Sequence, residues 1–314
     1  MIRTYGGNSA YCYANSLHMC LEYAGMAPLP DVGLLECMTG MPFGATFLRR
    51  DRPLFFPSPS GIDPDRGLTQ ALDTLGWTCD VRRFREAEEA AGALREALLN
   101  GPVLIGPLDP ATLPYDPNQS LRRRGGDHFV VALRMDGEVV QVHDPQLYPF
   151  ATLPLAELMK TWNAEHIGYA QARYTFRCRF RAERLVAEAD MLAATVGTAL
   201  RLMTSVAAGP VLYGGTEAYA RAAAVLRGEA PEAFTAPLPQ FVLPLGARRC
   251  LDAGHFFETI RATEAAHLMV SKAETYGAAQ YYAARGDWDR TADSLNRLAG
   301  IDSECVATLH ALAQ

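Results

Sequence analysis

The feature that most constrains this chain is a pair of apolar-rich runs that meet at Asp136-Gly137. His128-Phe-Val-Val-Ala-Leu-Arg-Met135 precedes the turn, and Glu138-Val-Val-Gln-Val-His-Asp144 follows it. An Asp-Gly step between two such runs is the strongest short-range signal for an antiparallel hairpin. Pro102-Val-Leu-Ile-Gly106 is a short apolar run bounded by Gly and Pro, so it reads as a buried strand. Residues 77–81 and 169–180 add further strands. Helical spacing appears at 13–23, where Gly25 supplies the stop, at 68–75 ahead of Gly76, and at 87–99 ahead of Asn100-Gly101. Prolines 42, 53, 57, 59 and 64 make residues 40–66 mostly loop. One sheet with several helices gives an α+β class.

The pattern changes near residue 180. Beyond it, Ala, Leu, Glu and Arg recur at helical spacing over 184–205, 217–227, 248–269, 272–285 and 288–298. Thr216, Asp287 and Asp302 are expected N-caps. The expected domains are therefore residues 1–180 and an all-helical domain at 181–314. The two helices around Gly286-Asp287 have the look of one tetratricopeptide unit, but one unit is no array. Gly209-Pro-Val-Leu-Tyr-Gly-Gly215 lacks a phosphate-binding spacing and reads as a turn. Phe256-Phe257 and Tyr281-Tyr282 read as core aromatics.

A length of 314 residues suits about two domains. With 49% apolar and 20% charged residues, the chain has ample surface to bury and disorder is excluded as its main state. A net charge of −6 argues against nucleic acid as a partner. No apolar run approaches the length of a membrane span, so no membrane contact is expected. Met1 leads into Ile-Arg-Thr-Tyr-Gly-Gly with no apolar leader, which predicts a cytoplasmic protein. The seven cysteines, at 12, 20, 37, 79, 178, 250 and 305, form no CxxC pair and read as reduced thiols, six of them small buried hydrophobes. His255 and His267 are too far apart to share a metal, and Asp63, Asp65 and Asp109 lack calcium-loop spacing. No metal and no cofactor are expected.

Three residues can carry chemistry. Cys12 lies at the start of the first helix, where the positive end of the helix dipole favours a thiolate nucleophile. His128 opens the first hairpin strand and Asp144 closes the second. Their register decides whether they meet. A three-residue loop with a bulge at Gly137 pairs 128 directly with 144 and turns His143 away. The roles are then nucleophile, general base and orienter. Asn8 and the backbone N–H of Cys12 are candidate oxyanion donors. This chain order resembles that of papain-like cysteine catalysts. It departs from them at Gly6, where such chains usually carry Gln six residues before the nucleophile; Asn8 is only four ahead.

The segments Asn-Ser-Ala-Tyr-Cys12-Tyr-Ala-Asn-Ser-Leu, Gly-Gly-Asp-His128-Phe-Val-Val and Val-His-Asp144-Pro resemble the butirosin-biosynthesis acyltransferase family. The likeness covers roughly residues 8–180, including Trp162. The tail, with 249–257 and the Trp288 helix, more weakly resembles a domain often fused to it. The resemblance implies a papain-like fold turned to acyl transfer. An acyl carrier protein or other acyl thioester would acylate Cys12. His128 would move the proton, Asp144 would orient His128, and a small-molecule amine would accept the acyl group. With a donor that carries phosphopantetheine, Arg122-Arg123-Arg124 would be a carrier-docking patch; the other reading of this basic run is a solvated loop. A thioesterase or peptidase-like hydrolase would use the same three residues. A non-catalytic binding protein would not need them intact.

Overall fold

A computed structural model of the chain describes residues 4–49, 53–122, 124–204 and 211–312. In chain order the first elements are α1 (Cys12–Tyr23), α2 (Val32–Thr39), β1 (Thr46–Leu48), β2 (Leu54–Phe56), α3 (Pro64–Leu75), β3 (Trp77–Phe84) and α4 (Ala87–Leu98). Next come β4 (Val103–Leu108), β5 (His128–Asp136), β6 (Val139–Asp144), β7 (Tyr148–Pro154), α5 (Leu155–Trp162) and β8 (Tyr174–Ala182). The rest are α6 (Glu188–Thr204), β9 (Leu212–Gly214), α7 (Gly215–Arg227), α8 (Glu232–Thr235), α9 (Leu243–Thr259), α10 (Thr263–Ala284) and α11 (Trp288–Leu312). No helix among the described residues is long and apolar enough to cross a membrane.

The chain divides into two compact units. One holds Met1–Val32 and Leu75–Leu185, the other Gly33–Thr74 and Val186–Gln314. The second unit thus takes in 33–74, which a single cut at 180 assigns to the first, and the cut itself falls inside β8. The reason is visible in residues 40–66. Their proline-rich sequence reads as loop, yet Phe47 on β1 and Phe55 on β2 are buried in a cluster with Tyr219, Phe234 and Leu295.

The first unit is built on a six-stranded antiparallel sheet in the order β3-β8-β4-β5-β6-β7. Ala90 and Leu94 of α4 and Leu158 and Trp162 of α5 pack on Val103, Ile105, Val130, Ala132 and Val142. Trp162 is fully buried and donates its indole N–H to Thr175 O at 3.0 Å. Helix α1 lies against β5, with Tyr13 and Phe129 edge to face at 5.9 Å, and this brings its first turn to the first residue of that strand. Gly106 makes room for Phe129: a Cβ there would sit 2.3 Å from the ring, and its φ of 155° suits glycine alone.

The second unit combines the helices from α6 onward with a three-stranded sheet in the order β2-β1-β9. Leu212–Gly214 is the strand β9 rather than part of a turn, while 209 and 210 lie outside the described residues. The helix expected over 248–269 is two helices. Arg261 takes φ 60°, its N–H reaches Glu258 O, and the next N–H, of Ala262, reaches Phe257 O at 2.9 Å. That is a Schellman stop, and its left-handed position holds Arg where glycine would have announced it. Asp287 caps α11 as expected, its carboxylate accepting from Arg290 N at 3.1 Å. Thr216 lies inside α7, which starts at Gly215 with Gly214 as its cap. Asp302 is no cap either. It is buried in the middle of α11 and pairs with Lys272 at 2.6 Å. Phe256 and Phe257 are core residues as expected, whereas Tyr281 is exposed.

Candidate active site

The hairpin places His128 and Asp144 by a route that the Asp-Gly signal does not show. The loop has two residues, Gly137 and Glu138, with Asp136 paired to Val139. Gly137 supplies the positive φ, 56°, that such a loop requires. The bulge sits within β5, between Ala132 and Arg134, not at Gly137. Beyond it Ala132 faces Val142 and Val131 faces His143. Side chains alternate along a strand, so His143 shares the face of Val131, and Asp144 and His128 share the other. The direct 128–144 pairing is corrected: Asp144 reaches His128 diagonally, not from the position opposite. The side chains still meet, His128 Nε2 to Asp144 Oδ1 at 2.7 Å, with both residues essentially buried.

Asp144 is held at both oxygens. Oδ1 also accepts from Gln146 N at 2.8 Å, and Oδ2 accepts from Tyr115 Oη–H at 2.9 Å. Burial favours its neutral form, but the His128 charge and these hydrogen bonds outweigh burial and hold its pKa below the ordinary carboxylate value. An ionised Asp144 can only accept, so Nε2 of His128 carries a hydrogen and Nδ1 is the nitrogen left for Cys12. Cys12 is half-buried, stands at the first position of α1, and interacts with His128. Burial lowers the pKa of His128, but the charges of Asp144 and Cys12 overcome it and push it up to about 10.

The other cysteines have no such setting. Cys20, Cys37, Cys178, Cys250 and Cys305 are buried, and Cys79 is half-buried rather than core. Burial pushes the Cys20 thiol far up, that of Cys79 to about 11 and that of Cys250 to about 12.

The loop ahead of Cys12 is tied to the same corner of the sheet. Tyr5 Oη donates to Asp144 O at 2.6 Å and accepts from Leu147 N at 2.8 Å. Ser9 N–H reaches Pro145 O at 3.2 Å. Asn8 is exposed, and its Oδ1 accepts from Ala10 N at 3.1 Å and from Asn15 Nδ2 at 2.8 Å. The residues of the basic run part company. Arg122 is ion-paired with the buried carboxylate of Asp116, Arg124 is exposed, and Arg123 lies outside the described residues.

Three supporting residues were not read from the sequence. Asn15 was legible: a polar amide three positions past Cys12 on an otherwise apolar helix face needs buried partners. Tyr115 and Tyr5 sit in irregular segments with no periodicity to mark them.

The fold and the side chains together define an α+β unit carrying a Cys–His–Asp centre at a helix N-terminus. The whole chain is similar to the uncharacterized protein YobF of Bacillus subtilis (strain 168), with 29% identity over 300 residues and 95% of each chain covered. Residues 209–310 match the family described as YobF C-terminal domain. A solved structure from Bacillus anthracis, described as a C39-like peptidase, aligns with 57% of this chain and 95% of its own, at 16% identity and a TM-score of 0.38.

Proposed function

We propose that this chain is a cysteine acyltransferase that moves an acyl group from a thioester, in a carrier-bound or pantetheine form, to a small-molecule amine. The observation that carries the reading is the connected line from Cys12 through His128 to a buried, ionised Asp144. An imidazole set between the Cys12 sulfur and a buried carboxylate is suited to take a proton from the thiol and give it up again.

In the first half-reaction the Cys12 sulfur attacks the thioester carbonyl and a new C–S bond forms. The tetrahedral intermediate collapses, the donor's C–S bond breaks, and the departing thiolate takes the proton held on His128. In the second half the amine attacks the acyl-Cys12 carbonyl and its proton passes to His128. The C–S bond to Cys12 then breaks, leaving an amide and returning Cys12 and His128 with the one proton they began with. Asp144 remains ionised throughout and holds the ring in place.

The test is intact-protein mass spectrometry after brief exposure to a panel of acyl-pantetheine thioesters, with Cys12→Ala beside the wild type. One acyl adduct in the wild type only, discharged by added amine with formation of the amide, supports the reading. Discharge at the same rate in water alone replaces it with a thioesterase. No adduct from pantetheine or carrier-bound donors overturns it.

A further inference from the structure

We infer that Asn15 is a positioning residue for the oxyanion: it locks the Asn8 side chain so that its amide N–H group, not its carbonyl, is presented to the reacting carbonyl oxygen. This rests on Cys12 acting as an acyl-accepting nucleophile.

The hydrogen-bond partners fix the orientation of both amides. The Ala10 backbone N–H can only donate, so the Asn8 atom 3.1 Å from it is Oδ1. The Asn15 atom 2.8 Å from that same oxygen must then be Nδ2. Asn15 Nδ2 also points at Ala10 O at 2.8 Å and Tyr11 O at 3.1 Å, two further acceptors. No other assignment of the two amides satisfies all four contacts. With Oδ1 of Asn8 taken twice, the Nδ2 end keeps both hydrogens for an outside acceptor.

Asn15 reaches back from the first turn of α1 to residues 8, 10 and 11, and it is nearly fully buried while Asn8 is exposed. Between them lie Ser9 and Tyr11, both left-handed with φ of 61° and 52°. Two non-glycine residues in that region store strain that the Asn15 amide offsets. The residues on either side of Asn8 are anchored to the Asp144 corner. Ser9 N–H binds Pro145 O, and a Cβ on Gly7 would come within 2.6 Å of that carbonyl oxygen. Asn8 is thereby held beside the corner that carries Asp144, four residues before the nucleophile. The Cys12 N–H, at the first helical position, has no acceptor within its own helix. As the carbon–oxygen π pair moves onto oxygen during attack by sulfur, Asn8 Nδ2–H and Cys12 N–H are the two donors that meet it.

The test compares two reactions of one thiol. Acylation by an acyl-pantetheine passes through an oxyanion, whereas alkylation by iodoacetamide is a direct displacement that does not. Asn8→Ala and Asn15→Leu are each expected to slow acylation about 100-fold, the cost of one oxyanion donor. Iodoacetamide alkylation of Cys12 is expected to stay within about twofold of wild type in both, and the double variant to be no slower than either single one, because Asn15 acts through Asn8. Asn8→Ala, at an exposed position, keeps the test valid if Asn15→Leu folds poorly. The inference fails if Asn8→Ala acylates at the wild-type rate, if acylation and alkylation fall together in Asn15→Leu, or if the two effects add. A wild type that no thioester acylates overturns the acyltransferase reading and this one with it. A wild type that acylates beside an unaffected Asn8→Ala overturns this one alone.

Discussion

Asp144 shares a hairpin face with His128 because one bulged residue, Leu133, lies between them and the turn. Continued unbroken, the pairing that begins at Asp136 and Val139 would set Asp144 across from Val131, on the face turned away from His128. The bulge puts His143 there instead and brings the carboxylate to 2.7 Å from the imidazole. A strand slip of one residue exchanges every side chain between faces, so the site depends on this insertion as much as on its three named residues.

Asp144→Asn should lower the His128 pKa, since the carboxylate charge is the larger of the two charges that push it up to about 10. The sign follows from linkage. A raised native pKa contributes stability that is full below the ordinary imidazole value of 6.5 and is lost as pH rises through about 10. In the variant the alkaline loss of both stability and acylation moves to lower pH. Acylation at neutral pH falls by about 10² to 10⁴, the range for a disabled acid–base pair. Acylation rate and thermal midpoint against pH, from 6 to 10.5, check both. An unmoved alkaline limb would remove Asp144 from the role of orienter.

Tyr115→Phe removes the hydroxyl that donates to Asp144 Oδ2 at 2.9 Å. This hydrogen bond helps hold the Asp144 pKa down, so that pKa rises in the variant. A depressed carboxylate pKa contributes stability present above its unfolded value and lost as pH falls, so acid loss of activity should begin at higher pH than in wild type. The stability cost at pH 7 is about 1.5–3 kcal/mol, as for other hydrogen bonds to charged groups. Denaturant unfolding at pH 7 and at pH 5, beside a pH–rate profile, measures both effects.

The sequence carried the hairpin and the α+β class and singled out three candidate residues, because each has a local signal: an Asp-Gly turn, a Cys entering a helix, a His and an Asp at strand ends. The location of the bulge had none. Leu133 is an ordinary apolar strand residue, and parity alone could be satisfied by more than one arrangement. The Arg261 stop was hidden because the left-handed cap position holds no glycine. Residues 33–74 could not be assigned to the second unit from local pattern, since Phe47 and Phe55 find their partners near 219 and 234, far along the chain. Asp302 looked like a cap because Asp is common there, and only its distant partner Lys272 shows otherwise.

His143 gives a separate handle on the same corner. Its Nδ1 accepts from Phe150 N–H at 3.1 Å, its Nε2 is buried with no partner, and burial lowers its pKa. A histidine kept neutral in the fold contributes stability that is present above its unfolded value and lost as pH falls below it. The acid weakening of the wild type should therefore include a component that His143→Phe lacks. Between pH 7.5 and 5 the stability difference between the two proteins should move steadily in favour of His143→Phe. A difference constant across that range would show that His143 takes up its proton in the fold as easily as in the unfolded chain.

Lys272 and Asp302 test the second unit. Burial opposes the Lys272 charge, but Asp302 at 2.6 Å keeps its pKa above the ordinary lysine value. The ammonium also lies 5.6 Å from the centre of the Tyr219 ring, whose hydroxyl is 3.0 Å from that of Tyr276. Removing one partner strands the other charge in a dry site, so Asp302→Leu and Lys272→Met should each cost about 3–5 kcal/mol. The double variant removes both charges and should recover most of that loss, because desolvation of the pair offsets much of its attraction. Guanidinium midpoints of the four proteins form the cycle. Additive single losses would mean that each side chain contributes through packing on Tyr219 and its neighbours, while recovery in the double variant assigns the cost to the unpaired charge.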